Sequence, residues 1–211
     1  MPKYLLSPKD DMDQITEHIY LGSWKAAKEN VGRLEIVTTA IDSPFVGDYH
    51  FPLTDPGTDP NDRSLLFDAA NKVIKLTSQG KDVLVHCVSG ANRSVSVVMA
   101  VLMKTQGMSL EESYKFVLEK RRGICPYYKN LEHVLAFNDL PEIVDKEMFG
   151  VKDAEGAERI VYQTYEGILG RKADPDGLRH YTELLERGKI DQVKLAAILK
   201  GSDEYRRNYE N

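Results

Sequence analysis

One stretch of the chain, Val83–Ser94, places an apolar strand, a short loop and the start of a helix in immediate succession. The β-branched run at its beginning is typical of a buried strand, and the run ends at Cys87. Gly90 lies in the loop that follows, and the apolar residues 95–103 continue as a helix. Backbone N–H groups in such a loop point toward a common centre, where the helix dipole adds partial positive charge. The stretch therefore predicts an anion-binding loop.

Cys87 is expected to lie at the positive centre of this loop, which favours a thiolate over a thiol. A free cysteine titrates near 8.5, and sites of this kind lower its pKa to roughly 3.5–7.5. Such a thiolate is a nucleophile at neutral pH. Arg93 carries a planar guanidinium that suits two oxygens of a tetrahedral dianion. The two residues together predict a phosphate pocket with a nucleophile at its floor.

The pattern His86-Cys87, five residues, then Arg93-Ser94 resembles the signature of the cysteine-dependent protein phosphatases. Arg-Ser, rather than Arg-Thr-Gly, is similar to the dual-specificity branch of that family. The resemblance implies that Cys87 attacks phosphorus, that Ser94 hydrogen-bonds to its sulfur and that His86 orients the loop. It also implies a phosphate-binding loop that consists of Val88, Ser89, Gly90, Ala91, Asn92 and Arg93.

Two loop residues differ from the commonest pattern of that family. Ser89 stands where alanine is frequent, and Asn92 stands where serine is frequent. Neither residue replaces a group that does chemistry, so we expect the loop to be active. Asn92 is also similar to the related RNA 5′-phosphatases, which keeps RNA open as a second substrate class.

A second informative loop, Thr54–Pro60, contains two prolines, a glycine and two aspartates. The prolines and the glycine predict a loop rather than the interior of a helix or strand. Cleavage of a phosphoester requires a proton for the leaving oxygen, and an aspartic acid on a loop can supply it. The resemblance implies an aspartate after the strand that precedes the long helix, and Asp55 matches by placement. Asp59 stays open as the alternative general acid.

Alternating strand and helix patterns predict an α/β domain with a central mixed, mostly parallel sheet flanked by helices. Such sheets place their ligands at the carboxyl ends of their strands. An amphipathic helix is expected over 63–78, and Ser109 with Glu112 forms a capping box at the start of another helix. The basic run 120–122 is interpreted as helix-dipole complementation and solvation rather than a binding patch.

We expect four parts along the chain, namely a leader (1–12), a dual-specificity phosphatase-like catalytic domain (13–149), a linker (150–156) and a small all-α domain (157–211). The last part resembles a bacterial helical module known as domain of unknown function 4214. The similarity lies in Leu-Gly-Arg at 169–171 and Asp-Pro-Asp-Gly-Leu at 174–178. Asp174 is predicted to cap a helix that has a proline in its first turn. Two roles stay open for this module, protein binding and self-association.

Composition narrows the classes of partner. The net charge of −5 argues against nucleic acid or an anionic membrane as the main partner, and no apolar run is long enough to span a bilayer. Only two cysteines occur, Cys87 and Cys125, so no disulfide framework is expected and a reducing cytoplasm fits. Because the loop amides and Arg93 supply positive charge, we expect no metal or other cofactor. Cys125 has two interpretations, a redox partner of Cys87 and a small buried residue.

These features predict a phosphatase that acts on a phosphoprotein substrate through a phosphocysteine intermediate. The expected substrate is phosphotyrosine, with phosphoserine and phosphothreonine as open additions. Two alternatives remain, an RNA 5′-phosphatase of the same fold and a phosphoprotein-binding module without turnover. A pure binder has no need of a nucleophile, so the presence of Cys87, Arg93 and Asp55 favours the enzyme.

Overall fold

Five short strands form one sheet in the computed structural model, which describes residues 12–55, 57–122, 124, 126–144 and 156–209. The strands are β1 (Met12–Gln14), β2 (Ile19–Gly22), β3 (Glu35–Thr38), β4 (Tyr49–His50) and β5 (Val83–His86). Their order is β1-β2-β5-β3-β4. Only β1 and β2 pair antiparallel, and the other neighbours pair parallel. The prediction of a mixed, mostly parallel sheet is confirmed.

The central strand β5 sets the position of the loop that follows it. All four of its residues are buried, as expected for a strand covered on both faces. Its parallel register with β2 and β3 places His86 level with Gly22 and Thr38. The carboxyl ends of three strands therefore meet at one edge of the sheet, and Cys87 leaves the sheet there.

Within the described residues, five helices belong to the same unit as the sheet. They are α1 (Trp24–Glu29), α2 (Asp62–Ser78), α3 (Arg93–Gln106), α4 (Leu110–Lys120) and α5 (Tyr128–Phe137). Helix α3 is buried over residues 93–103, which makes it the central helix of this unit. The predicted capping box is confirmed, since Ser109 Oγ accepts the Glu112 N–H while the Glu112 carboxylate accepts the Ser109 N–H. These elements hold α3 with its N-terminus at the sheet edge described above.

The four helices that the structure describes over residues 156–209 belong to a second compact unit. They are α6 (Gly156–Leu169), α7 (Pro175–Glu186), α8 (Gln192–Lys200) and α9 (Asp203–Tyr209). Their buried side chains form one apolar cluster that includes Val161, Tyr165, Ile168, Leu195 and Leu199. Asp174 accepts the Gly177 N–H at 2.9 Å and Pro175 opens α7, so both the predicted cap and the all-α character are confirmed.

Parts of the predicted domain organisation lie outside the described residues. The leader (1–12) is described only at Met12, which begins β1, and the linker (150–156) only at Gly156, which begins α6. Cys125 also lies outside the described residues. Within the described ranges, no helix has the length and apolarity needed to cross a bilayer.

One buried carboxylate, that of Asp62, shapes the loop between β4 and α2. Its Oδ1 accepts the Thr54 N–H at 2.8 Å, and its Oδ2 accepts the Thr54 hydroxyl at 2.5 Å. Oδ2 also accepts the Asp59 N–H at 2.8 Å. Asp62 is fully buried, so these donors replace the water that the carboxylate loses. The network joins both ends of the loop that contains Asp55.

Replacing Asp62 with alanine should therefore destabilise the fold. The change removes the buried carboxylate that accepts from Thr54 and Asp59 and leaves a cavity in its place, and we expect a loss of about 2–4 kcal/mol in the free energy of unfolding. Urea denaturation measures this loss. The matched control is Asp68→Ala, on the exposed side of α2, which should stay close to the wild type. Equal stability of the two variants would contradict the role given to Asp62.

Candidate active site

The loop from Cys87 to Ser94 connects β5 to α3, and its shape depends on Gly90. This glycine has a φ of +70°, in the left-handed region. A Cβ atom added there would lie 2.4 Å from the Gly22 carbonyl oxygen and 2.8 Å from Nη2 of Arg121. Both the backbone conformation and the close approach to β2 require glycine.

Arg121 holds the same loop from the other side. Its Nε donates to the Gly90 carbonyl at 2.9 Å and its Nη2 to the Ser89 carbonyl at 3.0 Å, while Nη1 donates to Asp13 Oδ2 at 2.7 Å. With these carbonyls occupied, the loop offers N–H donors rather than acceptors to an anion. The side chain is only 3% exposed, so the interpretation of Arg121 as a solvated charge at a helix end is wrong.

The remaining loop residues differ in burial. Val88 and Ser89 are partly exposed, whereas Ala91 and Asn92 are buried. The Val88 carbonyl accepts the Trp24 N–H at 3.2 Å. The structure therefore brings all the loop residues predicted from the sequence together around Cys87.

Cys87 is 1% exposed at the floor of this loop. Burial raises the pKa of its thiol, but the positive charge of Arg93 and the hydrogen bonds to the sulfur outweigh that effect, so the pKa falls below its ordinary value. The donors are the Ser94 hydroxyl, whose Oγ lies 3.2 Å from Sγ, and the backbone N–H groups of Ser94 and Asn92. The geometry therefore favours a thiolate.

Arg93 is 2% exposed and lies between two carboxylates. Its Nη1 donates to Asp42 Oδ1 at 2.5 Å, and its Nη2 lies 3.9 Å from Asp55 Oδ2. Its Nε is buried and has no hydrogen-bond partner among the described residues. Because a buried guanidinium N–H is costly to leave unpaired, this donor is suited to an oxygen of a bound phosphate.

The two candidate general acids have different surroundings. The Asp55 side chain is 32% exposed, and its Oδ1 accepts a hydrogen bond from Asn92 Nδ2 at 3.0 Å. Asp59 Oδ1 instead accepts the backbone N–H of Asn61 at 2.9 Å and its side-chain amide at 3.1 Å, at the start of α2. The structure thus brings Asp55 to Arg93 and gives Asp59 a turn-forming role.

His86 is fully buried behind the loop. Its Nδ1 lies 3.0 Å from the Cys87 carbonyl, which can only accept, so this nitrogen carries the proton. Nε2 accepts the Thr38 hydroxyl at 2.7 Å, and the Thr38 oxygen accepts the Gly47 N–H at 2.9 Å. Burial lowers the pKa of His86 to about 4. A neutral imidazole with a hydrogen bond at each ring nitrogen supports an orienting role for His86 rather than proton transfer.

Sequence reasoning gave no site role to several residues that shape this site, among them Asp42, Asp62 and Arg121. Asp42 follows closely on β3, and an acidic residue just beyond the carboxyl end of a parallel strand is a usable signal for a site residue. Asp62 begins a helix, where an aspartate is ordinarily interpreted as a helix cap. Arg121 offers no such local signal.

Two protein-family models match different parts of the chain. The model of the dual specificity phosphatase catalytic domain matches residues 19–139. A domain of unknown function, DUF4214, matches residues 147–209. The first match contains the whole loop around Cys87, and the second contains α6 to α9.

Two relatives and one solved structure illustrate the similarity. Tyrosine-protein phosphatase yvh1 of Schizosaccharomyces pombe is 28% identical over 148 residues, which is 66% of this chain and 45% of the relative. Protein-tyrosine-phosphatase IBR5 of Arabidopsis thaliana is 36% identical over 129 residues, or 56% of this chain and 48% of the relative. The chain therefore spans less than half of either relative. The crystal structure of human DUSP28, at 21% identity and a TM-score of 0.51, covers 61% of this chain and 93% of that chain and shows the same fold.

The catalytic-domain match covers more than half of the chain, and the described geometry gathers the cysteine, arginine and aspartate predicted from the sequence at one edge of the sheet. On this ground, the chain belongs to the dual specificity phosphatase family.

Proposed function

We propose that this chain hydrolyses phosphomonoesters through a covalent phosphocysteine intermediate. The observation that carries the proposal is the pairing of Cys87 with Arg93. The thiol has a lowered pKa, and the buried guanidinium keeps an Nε donor that no described residue binds. One group supplies a nucleophile and the other a donor for anionic oxygens. Membership of the dual specificity phosphatase family supports the same chemistry.

The first step transfers the phosphoryl group to sulfur. The Cys87 thiolate attacks phosphorus, the S–P bond forms and the P–O bond to the leaving group breaks. Asp55 gives its proton to the leaving oxygen, so the alcohol or phenol departs neutral. Arg93 and the N–H groups of residues 88–93 bind the equatorial oxygens, where preorganised donors stabilise the charge of the transition state.

The second step regenerates the enzyme. The ionised Asp55 takes a proton from water while the water oxygen attacks phosphorus. A new P–O bond forms, the S–P bond breaks, and phosphate leaves with Cys87 again a thiolate and Asp55 again protonated. The Ser94 hydroxyl, 3.2 Å from Sγ, donates to the sulfur as its negative charge returns. His86 orients the loop, and no metal or other cofactor takes part in either step.

The proposed substrate is a phosphoprotein, with phosphotyrosine first and phosphoserine or phosphothreonine as open additions. Both relatives described above are named as tyrosine phosphatases, and the net charge of −5 disfavours RNA. One observation favours an RNA 5′-phosphatase as the second candidate, namely Asn92 in the loop. We propose that residues 13–149 carry the activity, in a cytoplasm that keeps Cys87 reduced. For the module over 157–211, protein binding and self-association both stay open as roles.

The proposal is tested with p-nitrophenyl phosphate between pH 5 and 7.5, with and without EDTA. We expect the wild type to release p-nitrophenol at a rate that the chelator leaves unchanged, and Cys87→Ser to release essentially none. Failure of the folded wild type to release product would overturn the proposed enzymatic activity and would favour the alternative, a phosphoprotein-binding module without turnover. Assays on phosphotyrosine peptides and on 5′-triphosphorylated RNA then separate the substrate classes. Faster turnover of RNA would overturn the phosphoprotein assignment.

Asn substitutions distinguish the two candidate general acids. Asp55→Asn cannot deliver a proton, so kcat should fall roughly 10²–10⁴-fold with phenyl phosphate as substrate. Asp59→Asn should stay close to the wild type, because asparagine forms the same kind of turn. Steady-state kinetics with both purified variants measures the difference. A large loss in Asp59→Asn with little change in Asp55→Asn would reverse the assignment.

The reactivity of Cys87 toward iodoacetamide should report the lowered pKa. Only the thiolate reacts. We therefore expect the midpoint of the alkylation profile, the pH at which the rate is half its maximum, to be lower for Cys87 than for a free cysteine. Ser94→Ala removes a donor to the sulfur and should move this midpoint upward. Ser96→Ala is the matched control, since Ser96 Oγ donates to the Asn92 carbonyl at 3.2 Å and not to the sulfur.

Mass spectrometry of the labelled peptide follows residue 87 separately from Cys125. A midpoint at the ordinary value for a free thiol in the wild type would contradict the proposed thiolate. A midpoint that Ser94→Ala leaves unchanged would remove Ser94 from the account of the sulfur.

A further inference from the structure

The Asn92 side chain links three parts of the site that are far apart in the sequence. It is 5% exposed, and both ends of its amide are hydrogen-bonded. Its Nδ2 donates to Asp55 Oδ1 at 3.0 Å. Its Oδ1 accepts the Tyr127 N–H at 2.7 Å and Asn130 Nδ2 at 3.0 Å. The side chain therefore connects the loop around Cys87 with the Asp55 loop and with the start of α5.

The surroundings fix which end of the Asn92 amide faces which partner. The backbone N–H of Tyr127 can only donate, so the Asn92 atom that meets it must be the oxygen. The amide nitrogen then faces Asp55, whose Oδ1 receives a donated hydrogen. A serine at position 92 would have a single hydrogen-bonding atom, Oγ, in place of the amide oxygen and nitrogen of asparagine. It cannot reproduce this bridge.

The bridge distinguishes the two oxygens of Asp55. Oδ1 accepts from Asn92, whereas Oδ2 lies 3.9 Å from Arg93 Nη2, on the side of the proposed phosphate pocket. When Asp55 is protonated, the donor from Asn92 favours the tautomer with its proton on Oδ2. The transferable proton is then on the oxygen that faces the leaving group.

The other end of the bridge is anchored on α5. Asn130 is fully buried, and a Cβ atom added to Gly57 would lie 2.0 Å from its Oδ1, so the acid loop packs directly on it. One turn further along the helix, His133 Nε2 lies 3.2 Å from the Gly57 carbonyl and donates to it. Helix α5 therefore holds the Asp55 loop both through Asn92 and directly.

We propose that Asn92 is a positioning residue for the general acid, which holds Asp55 so that Oδ2 delivers the proton to the leaving oxygen. This inference rests on the proposed phosphatase function. It assigns to the Asn92 side chain a task separate from the anion-binding role of the backbone N–H groups of the loop. The effect is exerted through Asp55 and requires no contact between Asn92 and substrate.

The test is the dependence of kcat/KM on the leaving group in Asn92→Ser. We use kcat/KM because it reports the first step, whereas the second step, in which Asp55 acts as base, is common to both substrates. For phenyl phosphate, whose leaving oxygen needs a proton, we expect kcat/KM to fall about tenfold, as for the loss of one hydrogen bond. For 2,4-dinitrophenyl phosphate, whose phenolate leaves without protonation, kcat/KM should change little. Equal losses on both substrates would overturn the proposal and leave a structural role.

A double-mutant cycle with Asp55→Asn supplies the second readout. If Asn92 acts through Asp55, Asn92→Ser should have no further effect on phenyl phosphate turnover once Asp55→Asn is present. Independent losses that multiply in the double variant would overturn the proposal. The alkylation midpoint of Cys87 should be the same in Asn92→Ser as in the wild type, since the backbone N–H that faces the sulfur is retained.

Asn71→Ser, on the exposed side of α2, is the matched control for the substitution itself. Thermal unfolding shows whether Asn92→Ser is folded, and Asn130→Ala, which removes a donor to Asn92 Oδ1, provides a second route to the same selective loss. An inactive, folded wild type would refute the proposed function. An active wild type that depends on Asp55 but shows no leaving-group selectivity in Asn92→Ser would refute this inference alone.

Discussion

The attraction between the Cys87 sulfur and the Arg93 guanidinium is the interaction on which the rest of the site depends. Both side chains are almost completely buried, and burial alone would protonate the thiol and disfavour the charged arginine. Each charge makes the other tolerable, because opposite charges attract more strongly where water is excluded. Strand β5 ends at His86 and helix α3 begins at Arg93, and together they bring residues 87 and 93 close to each other.

Carboxylates complete the balance of charge around the loop. Asp42 pairs with Arg93 and Asp13 pairs with Arg121, so each buried guanidinium has an acidic partner on another element. Asp42 is exposed and Asp13 is partly exposed, but the loss of either carboxylate would leave a desolvated guanidinium without that counter-charge, which is costly. The loop is therefore specified by residues from β1 and from beyond β3 and α4 as well as by its own sequence.

The parts of the site that could be predicted are those written consecutively in the chain. Residues 83–94 form a strand, a loop and the start of a helix in immediate succession, so their local structure and chemistry could be predicted without knowledge of the whole fold. Arg121 could not be placed in this way, because its partner Asp13 is 108 residues away and the Gly90 carbonyl is 31 residues away. Asn92 was recognised as a departure from the family pattern, but its bonds to Asp55 and Asn130 depend on how two distant segments fold onto the loop.

The salt bridge between Arg121 and Asp13 has a consequence for the edge of the sheet. Strand β1 is only three residues long and pairs with a single neighbour, yet it supplies the counter-charge for Arg121, which holds the loop that follows Cys87. A shortened protein that begins after β1 would keep Cys87, Arg93 and Asp55 while losing that carboxylate. The N-terminal boundary chosen for an expression clone is therefore expected to affect the proposed phosphate site, and an N-terminal tag that disturbs the pairing of β1 would weaken the hold of Arg121 on the loop.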